Sequence, residues 1–288
     1  MHRRRQALVL VPLLAVLLTG CSGAATPSAA LPSPAPTPAL PLNPDALLVQ
    51  IRSAGGFMAP EYVFRDTPLA SVYADGQVIV RAPDRAVHPG SLLPPLVAGR
   101  LSTVQVDALL AAASAAGLAS GTDASYPPHG AADVPATTFV VWSPRGITRT
   151  SFGALGVGAQ PDDPAEATAR AEAIGFDGLL ASLGRSVALA PYRPTAVRLA
   201  ARPYAVTDPA YRRDPVGWPL TWPLETAGTP ITPGSPEAGR CVVVSGADLD
   251  RLWPVAAAAD GTTPFASDGR RYALTVRPLL PDEAATCP

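Results

Sequence analysis

The chain's 288 residues carry 22 Lys and Arg side chains against 23 acidic ones, and all 22 are arginine. Without a lysine there can be no Walker A phosphate loop, Schiff base, pyridoxal phosphate site or S-x-x-K acyl-enzyme. Arginines and acids are interspersed without a basic patch, so nucleic acid is not an expected partner.

The first elements are an address. His2-Arg3-Arg4-Arg5 is cationic, and the apolar run Ala7 to Leu18 that follows is broken only by Pro12. Twelve helical residues rise about 18 Å, short of a hydrocarbon core roughly 30 Å thick, so the run reads as the core of a signal peptide. It ends in Leu18-Thr19-Gly20-Cys21. These four residues resemble the lipobox of bacterial lipoproteins. The resemblance implies cleavage after residue 20, acylation of Cys21, and a membrane partner reached through that lipid on the outer face of a bacterial cytoplasmic membrane. Two acyl chains anchor stably where one holds marginally, at about 0.8 kcal/mol per buried CH₂. Removal of Arg3, Arg4 and Arg5 with the signal leaves a net charge near −4. Residues 21 to 45 are rich in Pro, Ala and Ser, have no aromatic residue and no charge before Asp45, and cannot bury a core. They read as an extended spacer of roughly 3 Å per residue.

Residues 46 to 288 are the expected folded domain, long enough for a real core. Val49 to Phe57 reads as a strand ending at Gly55-Gly56. "LASVYADGQVIVR" alternates apolar residues about Asp75-Gly76, a pair suited to a two-residue type I′ turn that would set Tyr73 against Val78 and Val72 against Ile79. Both faces of that hairpin would then be apolar and covered. "LSTVQVDALLAAASAAGL" predicts a helix with a Ser102/Gln105 capping box, a Leu101/Val106 staple, a stripe of Val106, Leu109, Leu110 and Ala113, and a stop at Gly117.

A second hairpin is expected over Thr137 to Phe152, turning at Ser143-Pro144-Arg145-Gly146. A second helix should start at Asp163-Pro164 with Glu166 completing a box, run to Gly184, and turn Phe176, Leu179, Leu180 and Leu183 inward. Cys241 to Ser245 then reads as a strand, Ser245 and Asp248 as a helix cap, and Arg271 to Pro278 as the last strand. The pattern is α+β, mainly an antiparallel sheet with two or three packed helices, with a lobe division near 189–194. In an exported protein Cys241 and Cys287 read as a disulfide closing about 47 residues, worth roughly 4 kcal/mol on the chain-entropy model. Such a bridge between strand ends favours antiparallel strands.

The order of strand, Asp-Gly hairpin and capped helix over residues 47 to 118, with "RPLLPDE" and the late cysteine, resembles uncharacterised exported lipoproteins of GC-rich, actinobacteria-like bacteria. That resemblance implies fold and address alone.

Sites are sparse. His88 and His129 stand in Pro- and Gly-rich loops without an H-E-x-x-H or a G-x-S-x-G motif. "GALGVG", Gly153 to Gly158, spaces its glycines G-x-x-G-x-G and departs from the dinucleotide-binding pattern. Asp248 and Asp250 fail the Ca²⁺-loop pattern. No catalytic residue, metal or cofactor is assigned. Trp218 and Trp222, in a long Pro-rich loop over 208–238, either pin that loop onto the core or, if exposed, form the first candidate ligand-binding surface, because exposed indoles stack on sugars or prolines. The expected function is a non-enzymatic binding module for an envelope protein or cell-wall ligand. The alternative is an envelope hydrolase using carboxylates or His88/His129. If Cys21 carries lipid, the wild-type protein will partition into the Triton X-114 detergent phase and Cys21→Ala into the aqueous phase. Aqueous partitioning of both would remove the anchor.

Overall fold

The computed structural model describes residues 39–57, 60–83, 88–205, 212–232 and 239–287, without the side chains of 60–62 and 183–186. The signal segment, Cys21, the tether up to residue 38 and the Leu183 side chain lie outside the described residues. Among the described residues fourteen strands and four helices follow in chain order: β1 (Leu47–Ala54), α1 (Pro60–Arg65), β2 (Ala70–Tyr73), β3 (Gln77–Arg81), β4 (Leu96–Arg100), α2 (Thr103–Ala115), β5 (Ala124–Tyr126), β6 (Ala136–Ser143), β7 (Gly146–Gly153), α3 (Pro164–Ser186), β8 (Ala190–Pro191), β9 (Ala196–Pro203), β10 (Val216–Gly217), β11 (Thr229–Pro230), β12 (Arg240–Ser245), α4 (Gly246–Ala258), β13 (Pro264–Ser267) and β14 (Arg270–Pro278). They build two sheets, ordered β5-β7-β6-β1-β2-β3-β4-β8 and β10-β13-β14-β9-β12-β11. All pairs are antiparallel except β5 with β7 and β10 with β13. The fold is α+β, mainly sheet.

Three cores follow from strand alternation, since neighbouring residues point to opposite faces. In the first sheet Val72 and Val78 face α2 and α3, whose Val106, Leu109, Ala113, Phe176 and Leu180 fill the main core. Tyr73, Ile79 and Leu96 face the other way into a smaller cluster with Leu280. The second sheet buries Leu199, Val244, Phe265 and Leu274 against Leu249, Leu252 and Ala256 of α4. The β2–β3 hairpin is thus covered on both faces, as its pattern predicts.

Its register differs from the expected one. Val72 pairs with Val78 and Ser71 with Ile79. The turn is Tyr73–Gly76, closed by Gly76 N–H to Tyr73 O, with Gly76 alone at positive φ (83°). This is a three-residue loop, a type I turn with a glycine bulge. Asp75 is held in that turn: its carboxylate accepts from Gln77 N–H, and Arg100 donates to its carbonyl and carboxylate.

The α2 helix has every device its sequence encodes. Ser102 accepts from Gln105 N–H, Gln105 Oε1 accepts from Ser102 N–H, and Leu101 and Val106 are buried together. At the other end Leu118 N–H bonds Ala113 O and Gly117 N–H bonds Ser114 O, the Schellman pair that closes a helix on a left-handed glycine. The other two caps depart from expectation. Asp163 caps α3 through Ala165 N–H, while Glu166 turns away to Arg170 and His129. Ser245 makes no side-chain cap bond, and Asp248 accepts the Trp222 indole N–H instead. In both cases a charged or indole donor outcompetes a backbone amide for the carboxylate. Leu179 is 38% exposed; Ala173 takes the place expected of it in the inward stripe.

The chain passes from one sheet to the other between Pro191 and Ala196. Two segments then cross back. Leu92 and Leu93, from the β3–β4 connection, are buried in the core of the second sheet. Leu280, after β14, is buried against the first. The Cys241–Cys287 disulfide is present, with Cα atoms 5.9 Å apart. The strand argument for it does not hold: β12 and β14 are both antiparallel to β9, hence parallel to each other, and the tail after Pro278 turns back to bring Cys287 to Cys241.

That tail is fastened by Arg277, which is 4% exposed. Its guanidinium forks onto both Glu283 carboxylate oxygens at 2.8 and 2.5 Å and donates to Asp66 O at 2.7 Å. Burial raises the Glu283 pKa, but the Arg277 hydrogen bonds and charge outweigh it and hold the carboxyl below its ordinary range. A carboxylate depressed in the folded state contributes stability above its unfolded pKa, and loses it as pH falls through the folded value. Glu283→Gln should therefore cost about 3 kcal/mol at pH 7, typical of a broken buried pair, and much less at pH 3, read by urea unfolding at both pH values. Equal losses at both would contradict this.

Candidate functional site

The crossing segment of the β3–β4 connection forms one wall of a groove. Gly90 O accepts Gly261 N–H, Leu92 N–H donates to Ala259 O, and Ser91 bridges Asp260, so residues 90–92 lie along the turn that follows α4. Arg65 of α1 pins the same segment through Ser91 O at 2.7 Å. Prolines at 89, 94 and 95 lack the N–H that a strand ladder needs, and this stretch joins neither sheet. Between it, Ala257 of α4, Tyr192, Thr275 and Pro278 lies an open groove of about 1030 Å³, at the upper end of the range for ligand sites.

Its rim is preorganised. Asp260 Oδ1 accepts from Thr262 N–H and from the Thr262 and Thr263 hydroxyls, and Oδ2 accepts from Arg213 at 3.2 Å. Burial raises the Asp260 pKa; these hydrogen bonds, Thr262 first, reverse that and hold it below the ordinary carboxylate range. Tyr192 donates to Leu279 O at 3.0 Å. Burial, then the charges of Glu283, Asp282 and Asp45, push its hydroxyl up to about 12, so it is a neutral donor throughout the physiological range. Arg193 lies over the Trp253 ring, 4.9 Å from its centroid, and pairs with exposed Asp250 at 2.8 Å. The groove offers proline, leucine and aromatic surface edged by hydroxyls, with His88 in its lining.

The residues marked in the sequence fall in three places. His88 lines this groove. Trp218 and Trp222 stand edge to face, centroids 5.2 Å apart, on the second core. Trp218 Nε1–H donates to Trp222 O and Trp222 Nε1–H to Asp248, so both indole donors are engaged and half-buried ring surface is what the loop presents.

His129 stands elsewhere, against α3. Its Nε2 is 2.8 Å from Glu166 Oε1, which also accepts from Arg170 Nε at 2.8 Å. Arg170, 8% exposed, donates further to Gly153 O and Pro127 O. Burial raises the Glu166 pKa, but the hydrogen bonds from Arg170 and His129 lower it below its ordinary range. Two of the three GALGVG glycines serve this packing: a Cβ on Gly153 would stand 2.6 Å from Pro128 N, and one on Gly158 2.2 Å from His129 O. The structure brings His129, Glu166 and the glycine turn together, and keeps His88 apart from them. No group of three metal-ligating side chains forms among the described residues.

The groove is absent from the sequence reading. Its signal is "HPGSLLPP", an apolar and proline-rich insertion where a short hairpin loop would suffice. No protein-family model matches the chain, and no curated protein or solved structure matches it. Arg170→Ala would strand Glu166 and two carbonyls, and is expected to cost roughly 3 kcal/mol in chemical unfolding. A loss under about 1 kcal/mol would mean this cluster does not hold α3 to the sheet.

Proposed function

We propose that this chain is a lipid-anchored protein of the outer face of a bacterial cytoplasmic membrane, whose folded body binds an envelope protein or cell-wall ligand through the groove between its two sheets. The observation that supports this reading is the groove itself: about 1030 Å³, mainly apolar, with walls tied down on both sides by backbone hydrogen bonds. Walls fixed in advance lower the ordering cost of binding. The signal, Cys21 and the Pro/Ala/Ser tether support the address, since a spacer of 25 residues lets an anchored body search the space above a membrane. The Trp218/Trp222 loop is a second surface, with both indole donors committed within the protein.

The test is crosslinking in native membranes followed by pull-down of the tagged chain, alongside sedimentation with purified cell-wall sacculi. Ala257 is exposed on α4 and lines the groove, so Ala257→Arg obstructs it without entering a core. A discrete crosslinked species or sacculus binding should appear with wild type, fall about fivefold or more with Ala257→Arg, and persist with Trp218→Ala/Trp222→Ala. Loss with the tryptophan variant alone would transfer the site to that loop. Full retention in Ala257→Arg would remove the groove from the function.

A further inference from the structure

Four Asp-Gly pairs occur in the chain, at 75–76, 177–178, 260–261 and 268–269. Each sets a side-chain carboxyl beside an amide that no β-carbon shields. The sole asparagine, Asn43, precedes a proline, which has no amide hydrogen to lose.

In an Asp-Gly pair the glycine nitrogen can lose its proton and attack the side-chain carboxyl carbon. One carboxyl oxygen leaves as water, and a five-membered succinimide closes. Water then reopens the ring. Attack at one carbonyl restores aspartate; attack at the other leaves the chain running through the side-chain carbon, as isoaspartate. One water is lost and one gained, and no oxidant or reductant takes part. The step needs an unengaged amide, an unengaged carboxyl and room for the backbone to rotate.

The fold withholds these from three of the pairs. Asp75 accepts from Gln77 N–H and Arg100, Gly76 N–H donates to Tyr73 O, and a Cβ on Gly76 would stand 2.5 Å from Leu101 O. Asp260 accepts from Thr262, Thr263 and Arg213, and Gly261 N–H donates to Gly90 O. Asp177 and Gly178 lie inside α3, where the helical ladder engages the amide and fixes the dihedrals.

Asp268-Gly269 differs on every count. It is the two-residue turn between β13 and β14, with Ser267 paired to Arg270. Both central residues are left-handed, Asp268 at φ 47° and Gly269 at φ 73°, as a type I′ turn requires. That conformation is strained for a residue with a side chain, so rotation out of it is eased at Asp268. Among the described residues neither the Asp268 carboxyl nor the Gly269 N–H has a hydrogen-bond or ion-pair partner. Both residues are exposed, and nothing lies within 4 Å of a Cβ built on Gly269.

We propose that Asp268-Gly269 is a site of spontaneous modification in the folded protein, passing through a succinimide to isoaspartate, while the same fold protects the other three pairs. Isoaspartate adds one carbon to the backbone of a turn that two residues close. It therefore loosens β13, which pairs with β10 and carries Phe265 into the second core.

The full chain carrying Cys21→Ala is held at neutral pH for several weeks, folded in one sample and unfolded in guanidinium in another. Both are cleaved after arginine, and isoaspartate is located by electron-transfer fragmentation. Asp260 and Asp268 share the peptide 252–270, so Asp268→Glu is run alongside; its longer side chain closes the corresponding ring far more slowly. Isoaspartate is expected at Asp268 alone in the folded protein and at all four pairs in the unfolded one. In Asp268→Glu the signal from peptide 252–270 should be lost with the melting temperature kept. Absence of isoaspartate at Asp268 in the folded protein, equal accumulation at another pair there, no gain at the other three on unfolding, or a persistent signal in Asp268→Glu would each overturn the proposal. None of these outcomes depends on whether the groove binds anything.

Discussion

Arg277 and Glu283 make the contact on which the rest of this architecture depends. A guanidinium that is 4% exposed has given up nearly all its water, and an isolated buried cation would be ruinous. Three hydrogen bonds compensate it, and they end in two places. Two close the seven-residue turn "RPLLPDE" on itself. The third reaches Asp66 O, 211 positions earlier in the chain. The same Asp66 carries Arg81 of the first sheet on its carboxylate at 3.2 Å. One buried cation therefore ties the last strand of one sheet to the first sheet through a single residue between them.

The apolar contacts around it depend on that geometry. With the turn closed, Leu280 faces Tyr73, Ile79 and Leu96, and Asp282 stands where the Tyr73 hydroxyl can donate to it at 2.7 Å. Burial, with the adjacent Asp282 charge, raises the Tyr73 pKa far above its usual range, so the phenol is a fixed donor. Burial likewise raises the Asp282 pKa, against the pull of the tyrosine hydrogen bond. Opening the turn would leave the outer face of the first sheet without its cover and the Tyr73 hydroxyl without its acceptor. The groove inherits its rigidity from the same place, because Tyr192 and Pro278 in its lining sit directly against this turn.

What could be read in the sequence divides by distance along the chain. The α2 helix is legible to the last cap because all of its signals lie between Leu101 and Leu118. The second hairpin and the bounds of β12 and β14 are legible for the same reason, whereas β9, the strand between β12 and β14, is not among the expected strands. The first hairpin shows where legibility ends: Asp75-Gly76 marks the turn, but Arg100, 25 positions on, grips Asp75 in the conformation that makes the loop three residues long. Glu166 and Asp248 look like capping residues until Arg170, His129 and Trp222 are known to be within reach. The groove is least legible, since its walls come from the β3–β4 connection, α4, the segment before β9 and the end of β14. Nothing local to any of these marks it as a boundary.

The reciprocal insertion of Leu92 and Leu93 into one core and Leu280 into another bears on how such a chain can be inherited or re-engineered. Two sheets with separate helices look like modules that recombination could shuffle at Pro191–Ala196. Each half nevertheless carries a piece of the other's interior, so a chimera joined there would lack two buried leucines on one side and the cover of a sheet face on the other. The evolutionary unit is the whole body, and a homologous exchange would survive only if both crossing segments travelled with it.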